Sequence, residues 1–347
     1  MTNILVTGVG SNIGQGIVKS LKMSNIQCRI VGTDMVPLSA GLFRCDKGYT
    51  VPSAHDEDFT GEIIGICERE RINIVLIGAD PEVPVFALNR PVIEDRCEAT
   101  VVVSNREFVD LTFDKWHTYT LLKKHRLNHP RSALGSSRRG IEGLIGECGY
   151  PLVVKPRRKG GSKDVFTVNG ADELAYALKM AEDAIVQEYL GSEDQEYTSG
   201  VFFSKNSDVR GIITMRRELL CGTTYRAIID DYPEVREEVE KVADVLGRLG
   251  AIGSINVQMR LTEKGAVTLE INPRFSGTTV FRAKMGFNEP EATIRHFLLG
   301  EEIGQLRYRK GVVMRYWEEV YTSIEEFEKL KREKHIEHSK SEVQNLL

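Results

Sequence analysis

Residues 253 to 277 read GSINVQMRLTEKGAVTLEINPRFSG. Apolar residues occupy alternate positions in both halves, and the turn sequence TEKG separates them, so we predict two antiparallel strands. One face is predicted to carry Ile255, Val257, Met259, Val267, Leu269 and Ile271, and the other face Asn256, Gln258, Thr268, Glu270 and Asn272. If the turn centres on Lys264, Gln258 lies directly opposite Glu270.

Three of these polar side chains, Gln258, Glu270 and Asn272, form a predicted cluster of oxygen ligands. Mg²⁺ prefers hard oxygen donors, takes few from the protein, and completes its octahedron with water and phosphate. Arg274 follows the second strand after Pro273, where its guanidinium can meet a phosphate oxygen. The alternative is an ordinary solvent-exposed sheet face, which is usually polar, and the strand pair alone leaves both interpretations open.

Two lysines and a basic glycine loop lie upstream of the strand pair. Lys155 ends the apolar run PLVVKP, so a buried strand fixes the position of its base. In the loop RRKGGSKDV that follows, Lys159 adds charge, and Gly160 and Gly161 let backbone N–H groups approach an anion. Lys115 lies in FDKWHTY. A single lysine is usually solvated surface, but all these groups together with the oxygen cluster favour an anion-binding site.

The amino-terminal third alternates strand and helix patterns. The predicted strands are NILVTGV, CRIVGTD, INIVLIGAD and ATVVVS, and the predicted helices are GQGIVKSLKMS and FTGEIIGICERER. Such alternation indicates a parallel sheet with crossover helices, which we end near residue 105. Farther on, EVREEVEKVADVLGRLG places its valines and leucines in one stripe and predicts a helix.

The glycine run GVGSNIGQG, residues 8 to 16, raises the alternative of a dinucleotide site. Gly8 and Gly10 fit the pattern G-x-G-x-x-G, but position 13 is Ile, and the later Gly14 does not restore the spacing. Asp34 ends the second strand, where a ribose-binding acid would sit. A short-chain dehydrogenase would add a catalytic Tyr-x-x-x-Lys pair. We favour a tight strand-to-helix turn that requires small residues.

Net charge, hydropathy and cysteine content argue against a nucleic-acid-binding, membrane or disulfide-bonded protein. The 347 residues carry a formal net charge of −4, so no strongly basic face for nucleic acid is indicated. No apolar run approaches the ~18 residues of a membrane span. The six cysteines form no C-x-x-C pair, which is typical of reduced thiols in the cytosol. We expect a cytoplasmic protein without a nucleic-acid or membrane partner.

In this order, the motifs resemble the ATP-grasp superfamily, in particular a single synthetase unit of carbamoyl-phosphate synthase large subunits and the ATP-grasp carboxylate–amine ligases. They are DK (114–115), VVKP (153–156), VQEYL (186–190), NVQ (256–258) and EINPRFSG (270–277). The resemblance implies an open parallel, Rossmann-like pre-ATP-grasp α/β domain at residues 1–105, followed by a two-lobed α+β ATP-grasp fold. Its small lobe with connecting helices would span 106–190, its large lobe with the metal site 191–300, and a tail 301–347.

The resemblance also implies roles for individual residues. Lys115 and Lys155 would contact the α- and β-phosphates, and the loop with Lys159, Gly160, Gly161 and Ser162 would close over them. Glu188, Tyr189 and Leu190 would meet adenine, and Glu196 the ribose hydroxyls. Gln258, Glu270 and Asn272 would bind one or two Mg²⁺ ions, or Mn²⁺, with Gln258 and Glu270 also contacting the nucleotide. Arg274 and Lys155 would be the catalytic residues, and Arg274 would steady the transferred phosphoryl group.

The implied activity is an ADP-forming ligase that activates a small carboxylate as an acyl phosphate for attack by an amine. Lysine at both phosphate positions favours such ligases, whereas Gln258 favours a carbamoyl-phosphate-synthase-like phosphorylation of bicarbonate or carbamate. A nicotinamide-dependent oxidoreductase and a non-catalytic nucleotide sensor are the alternatives from other classes, and a homodimer is left open. Candidate substrate-pocket residues are Arg216, Thr223, Thr224, Ser276, Thr278, Thr279 and Arg282.

Overall fold

The computed structural model describes residues 1–158, 160–161, 164–191 and 193–338. The strands of its first sheet are β1 (Thr2–Val6), β2 (Cys28–Asp34), β3 (Lys47–Thr50), β4 (Ile74–Leu76) and β5 (Thr100–Val101). These strands are parallel, in the order β3-β2-β1-β4-β5. The helices between them are α1 (Asn12–Lys22), α2 (Phe59–Glu70) and α3 (Glu82–Cys97). The predicted parallel sheet is therefore confirmed, and the sequence analysis missed β3 and α3.

The edge of this sheet at the ends of β1 and β4 matters for the site. The strand order changes direction between these two neighbours, which is where open α/β sheets commonly bind ligands. The loop after β1 leads into α1, whose first turn is capped by Ser11: its hydroxyl accepts the N–H groups of Ile13 and Gly14. The loop after β4 carries Asp80, so both segments lie at one edge.

A four-stranded antiparallel sheet follows the helices α4 (Arg106–Phe113) and α5 (Lys115–Lys124). Its strands are β6 (Ser132–Leu134), β7 (Leu152–Pro156), β8 (Phe166–Val168) and β9 (Ala184–Glu188), in the order β6-β9-β7-β8. The helices α6 (Arg138–Cys148) and α7 (Ala171–Met180) complete this unit. Its apolar core includes Leu152, Val154 and Val186 from the central strands. Because side chains alternate along β7, Lys155, which follows Val154, points away from this core.

The third sheet is antiparallel and larger. Its strands are β10 (Glu196–Phe203), β11 (Val209–Leu220), β12 (Thr223–Ile229), β13 (Gly253–Thr262), β14 (Gly265–Asn272) and β15 (Gly311–Met314), in the order β14-β13-β10-β11-β12-β15. The predicted helix is confirmed as α8 (Pro233–Arg248), and its buried stripe, including Val235, Val239 and Leu246, packs on the central strands. One face of this sheet is thereby closed by a helix.

The carboxyl-terminal segment joins two sheets. After α9 (Thr279–Lys284), α10 (Glu289–Thr293) and a π-helical turn (Ile294–Leu298), β15 extends the large sheet beside β12. Beyond α11 (Ile324–Glu333), β16 (His335–Glu337) pairs antiparallel with β3. The tail thus ties the large sheet back to the first one.

All six cysteines are free thiols, as predicted. Within the described part of the chain, every helix is too short or too polar to cross a membrane.

Candidate functional site

A cleft of about 380 Å³ opens between the two antiparallel sheets. It gathers predicted site residues from five strands, one helix and the glycine loop. These are Lys115, Lys155, Gly160, Gly161, Glu188, Tyr189, Leu190, Glu196, Gln258 and Glu270. Of the other predicted site residues, Asn272 and Arg274 follow Glu270 along the chain, whereas Lys159 and Ser162 lie outside the described residues.

The predicted pairing of Gln258 with Glu270 is confirmed, and Asn256 pairs with Asn272. The predicted turn geometry does not produce this pair. Thr262 pairs with Gly265, so the turn does not centre on Lys264. A β-bulge between Gln258 and Met259 shifts the register and restores the expected pair.

The bulge also corrects the predicted alternation of β14. Leu269 was expected to face the core but lines the cleft beside Glu270. Thr268 was expected to face the cleft side but is fully buried, and Ala266 belongs to the core cluster in place of Val267. Beyond the bulge Ile271 packs inward, as predicted. The cleft is therefore more apolar at this point than the sequence indicated.

Each of the three predicted metal-ligating oxygens has a cationic neighbour. Glu270 Oε1 lies 3.3 Å from Lys115 Nζ, Gln258 Oε1 accepts a 2.9 Å hydrogen bond from Arg217, and Asn272 Oδ1 accepts a 3.1 Å bond from Arg274. These three cationic side chains lie close to one another, so together they can stabilise a bound anion.

Glu270 stays ionised in this setting. Burial opposes its negative charge, but the charges of Lys115, Lys155 and Arg274 outweigh that effect and lower the pKa of the carboxyl. One carboxylate with two amide oxygens suits Mg²⁺ that also binds phosphate. No cluster of three or more His, Cys, Asp or Glu side chains that could hold a metal occurs within the described ranges, so phosphate and water would have to complete the ion's coordination.

The two lysines reach the cleft from different elements. Lys155 lies on β7 opposite Ile185, and burial, followed by repulsion from Lys115, lowers the pKa of its ammonium to about 8. Lys115 is the first residue of α5, and its side chain is 8% exposed. Two ammonium groups and Glu270 therefore meet within electrostatic range, an arrangement that a phosphate chain would complete.

Asp114 anchors the start of the glycine loop. Its carboxylate caps α5 by accepting the N–H of Trp116 at 2.9 Å, and it also accepts bonds from Arg157 at 2.7 and 3.0 Å and from Arg158 at 3.0 Å. Burial opposes its charge, but the bonds from Arg157 outweigh that and lower its pKa. The helix that carries Lys115 and the loop that carries Gly160 are thus joined through one carboxylate.

Glu188 and Glu196, which are predicted to contact the nucleotide, also interact with other residues of the protein. Glu188 Oε1 accepts the N–H of Arg131 at 2.8 Å, so its side chain ties β9 to the segment before β6. Glu196 is held by Arg217 at 2.5 Å and by Arg260 at 2.8 Å. A carboxylate has about four acceptor positions, so Glu196 retains capacity for a further donor.

Sequence reasoning missed Arg217 and named Arg216 instead. Arg216 pairs with Tyr197 and Ile228 across the sheet, whereas Arg217 lines the cleft and bridges Glu196 to Gln258. The alternation of cleft-facing residues on β11 is the signal that distinguishes these two neighbours.

Arg274 links the large sheet to the amino-terminal domain. Its Nε contacts Asp80, while its two terminal nitrogens donate to Phe275 O at 2.8 Å and Asn272 Oδ1 at 3.1 Å. Asp80 follows β4 and lies 194 positions from Arg274 in the sequence, so no local pattern identified the pair.

Most proposed substrate-pocket residues are structural. Arg282 is fully buried, forms a 3.0 Å ion pair with Glu289 and bonds Asn256, so its assignment to a substrate pocket is wrong. A Cβ at Gly200 would lie 2.2 Å from Arg282, which explains the glycine there. Ser276, Thr278 and Thr279 are also buried, and Ser276 and Thr279 bond each other.

The amino-terminal glycine run is packed against its own chain, as the turn interpretation predicted. A Cβ at Gly14 would lie 2.3 Å from Gly8 O, and one at Gly8 would lie 2.5 Å from Ala79 Cβ. Asp34 accepts the N–H groups of Gly10 at 2.7 Å and Val36 at 2.9 Å, so its carboxylate closes this turn.

A Tyr-x-x-x-Lys sequence is present at Tyr119 and Lys123. Both side chains lie on α5, where Lys123 Nζ donates to the Tyr119 hydroxyl at 3.3 Å. Tyr119 packs at a tilt against Trp116 and edge-to-face against His129, and neither member of the pair lines the turn after β1. This pair gives the dehydrogenase alternative no active site beside the glycine run.

Family comparisons agree with this geometry. Residues 112–278 match a model of the ATP-grasp domain, and residues 4–100 match a model of the PylC-like N-terminal domain. Residues 112–278 of this chain are therefore an ATP-grasp domain. The first match ends just past Arg274, so it includes both antiparallel sheets except β15, together with every predicted site residue.

Similar curated proteins are named carbamoyl phosphate synthase large chain. That of Halobacterium salinarum is 23% identical over 90% of this chain but over 32% of its own length, and that of Methanocorpusculum labreanum is 22% identical over 88% and 31%. This chain therefore spans about a third of the length of these relatives.

Solved structures confirm the predicted ATP-grasp fold. An ADP complex of N5-carboxyaminoimidazole synthetase from Staphylococcus aureus superposes with a TM-score of 0.71 at 14% identity, covering 91% of this chain and 82% of that one. The biotin carboxylase domain of Hydrogenobacter thermophilus 2-oxoglutarate carboxylase, solved with MgADP, ADP and bicarbonate, gives 0.70 at 16% identity, with 90% and 73% covered.

Proposed function

We propose that this chain is an ADP-forming ATP-grasp ligase that phosphorylates a carboxylate with ATP and transfers the resulting acyl group to an amine. The observation that carries the proposal is the meeting of Lys115, Lys155 and Glu270 at one end of the cleft between the two antiparallel sheets. The ATP-grasp match over residues 112–278 supports the same conclusion.

The phosphate end of the cleft fits a magnesium-bound triphosphate. Gln258, Glu270 and Asn272 would hold Mg²⁺, which neutralises phosphate charge when it is bound. Lys115 then exchanges its contact with Glu270 for a phosphate oxygen, and Lys155 provides a second ammonium. Glu188 to Leu190 line the other end of the cleft, where a base would lie.

Transfer in this site depends on position and charge more than on a nucleophilic side chain. A substrate carboxylate oxygen attacks the γ-phosphorus, the bond to the β-phosphate oxygen breaks, and ADP leaves. Arg274, next to Asn272, neutralises the transferred group. The neutral amine then attacks the acyl carbon, the bond from that carbon to the phosphate oxygen breaks, and the departing phosphate takes the proton that the amine loses. The loop fixed by Asp114 shields this mixed anhydride from water.

A second candidate is phosphorylation of bicarbonate or carbamate. Gln258 at the metal site and the carbamoyl phosphate synthase names of the curated relatives favour it. Because the chain spans about a third of those relatives, it would perform one phosphorylation step of such a scheme. A nucleotide sensor would bind ATP without consuming it. The oxidoreductase alternative is disfavoured because the glycine run that would bind its dinucleotide is packed against its own chain.

ADP release measured over a panel of carboxylic acids and bicarbonate, each with a panel of amines, tests the proposal. We expect one acid–amine pair to stimulate ADP release, and Glu270→Gln to reduce that rate by about 10²–10³-fold while nucleotide binding is retained. Glu218→Gln makes the same change on an exposed, surface-paired carboxylate and should keep the wild-type rate.

Stimulation by bicarbonate alone would favour the second candidate. A wild-type protein that binds ATP but releases no ADP with any pair would support the sensor and contradict the ligase.

A further inference from the structure

A second cavity, of about 1070 Å³, lies against the nucleotide cleft. It is bounded by the loops after β1 and β4, by the start of α3, and by α4 and α5. Gly160 and Gly161 line both cavities, so the two spaces meet at the glycine loop. A molecule in the second cavity would therefore lie beside the phosphate end of the first.

The two cavities differ in charge. The described cations lining the nucleotide cleft are Lys115, Lys155, Arg217 and Arg260, against the carboxylates of Glu188, Glu196 and Glu270. The described charges lining the second cavity are the carboxylates of Asp80, Asp110, Asp114 and Asp164 and the guanidinium of Arg158; His55 and His117 line it as well. Carboxylates therefore outnumber cations among the described residues that line the second cavity.

Not all four carboxylates are equally placed to bind a ligand. Asp114 is already bonded by Arg157 and Arg158, and Asp110 lies 3.5 Å from Arg106 at the surface. Asp80 has one oxygen against Arg274, and its other oxygen would lie 3.0 Å from a Cβ at Gly160. Its side chain is 27% exposed, so it combines partial burial with access to the cavity.

The remaining wall of the second cavity is largely apolar. It is formed by Ile13, Ala79, Pro81, Pro84, Val85 and Phe113. Apolar walls with a small number of placed polar or charged groups are typical of sites that bind small ligands.

We propose that this cavity binds the amine substrate as a cation, with Asp80 as its anionic contact and the apolar wall against its carbon chain. This inference rests on the proposed function, since it takes the second substrate to be an amine. Arg274 contacts both Asp80 and Asn272, so an ammonium on Asp80 lies one side chain from the predicted phosphoryl-transfer position. The substrate class is therefore a primary amine with an apolar portion.

Calorimetric titration tests this with n-pentylamine, 1,5-diaminopentane and phenethylamine as probes, and with 1-pentanol and hexanoate as uncharged and anionic counterparts. The titrations are run with and without Mg²⁺ and a non-hydrolysable ATP analogue. We expect the amines to bind and their counterparts not to bind. Asp80→Asn should weaken amine binding about tenfold or more and change analogue affinity less than about twofold, since phosphate groups contact Arg274 independently.

Two further variants keep the test decisive. Asp244→Asn, on the exposed side of α8, should leave amine affinity unchanged. Val85→Phe fills the apolar part of the cavity and should weaken pentylamine more than methylamine, without moving the Asp80 carboxylate. This variant tests the cavity even if Asp80→Asn fails to fold.

Three results would overturn the inference: equal binding of amines and alcohols, tighter binding of hexanoate than of pentylamine, or an equal loss of amine and analogue affinity in Asp80→Asn. The last would show that Asp80 acts as a brace for Arg274. Absence of analogue binding to the wild type would instead contradict the proposed function, while amine titrations without nucleotide still report on this site.

Discussion

Two glycine-rich segments of this protein look alike in sequence and differ in what surrounds them. At Gly8 and Gly14 an added Cβ would collide with the protein's own backbone or side chains at 2.5 and 2.3 Å. Among the described residues, an added Cβ at Gly161 would meet nothing within 4 Å, and one at Gly160 would meet the carboxylate of Asp80 alone. Glycines of the first kind serve packing, and glycines of the second kind leave room beside a cavity.

The largest effect that separates the two segments is expected from Gly14→Ala. The new methyl group would overlap the Gly8 carbonyl, which is backbone and cannot rotate away, so we expect a loss of about 3 kcal/mol in unfolding free energy. Gly61→Ala is the matched control inside α2, where nothing lies within 4 Å, and should stabilise by about 0.5–1 kcal/mol. Urea unfolding measures both, and a Gly14→Ala protein as stable as the wild type would remove the packing explanation.

Gly161→Ala should cost less unfolding free energy than Gly14→Ala but should weaken nucleotide binding more. Gly161 has φ +71°, so alanine would strain the loop by about 1–2 kcal/mol and shift its N–H groups. Gly149, with φ +69° and open space, lies past α6, away from the cleft. We expect Gly161→Ala to raise the KM for ATP about tenfold and Gly149→Ala to leave it unchanged. Equal KM values would mean that the loop does not contact nucleotide.

The smallest expected effect is a change in nucleotide affinity with pH, caused by the titration of Lys155 at the end of β7. Burial lowers the pKa of Lys155 to about 8, so its ammonium is cationic below that pH and loses its proton above it. Affinity for a non-hydrolysable ATP analogue should therefore fall by about three- to tenfold between pH 7.5 and 9.5.

Arginine stays charged over this range, so Lys155→Arg should flatten the profile, whereas Lys241→Arg on exposed α8 should keep it. An unchanged slope in Lys155→Arg would assign the titration to another group.

The sequence predicted the parts of the fold that local patterns determine. The parallel sheet, the stripe on α8 and the β13–β14 hairpin follow from hydrophobic spacing. The helix α3 was missed because Pro91 lies inside it and its apolar residues form no continuous stripe. The strand β3 is four residues long, and β16 depends on pairing with it across the chain, so neither carries a strong local signal.

The sequence predicts the positions of site residues that lie on regular strands. It does not predict contacts between segments that are distant in the chain. Motif residues such as Lys155 and Glu270 lie in one cleft because strand alternation fixes their direction. The bulge beside Gln258 has no residue signature, so the sides of Thr268 and Leu269 came out reversed. The contact of Arg274 with Asp80 depends on packing between domains, which no local pattern encodes.

The central claim is that the cleft between the antiparallel sheets, and not the amino-terminal glycine run, holds the nucleotide. Hydrogen exchange of the wild-type protein with Mg²⁺ and a non-hydrolysable ATP analogue tests it most directly. We expect added protection in residues 153–156, 186–190 and 256–272, and none in residues 6–16. Protection confined to residues 6–16, with the cleft strands exchanging as in the free protein, would contradict it.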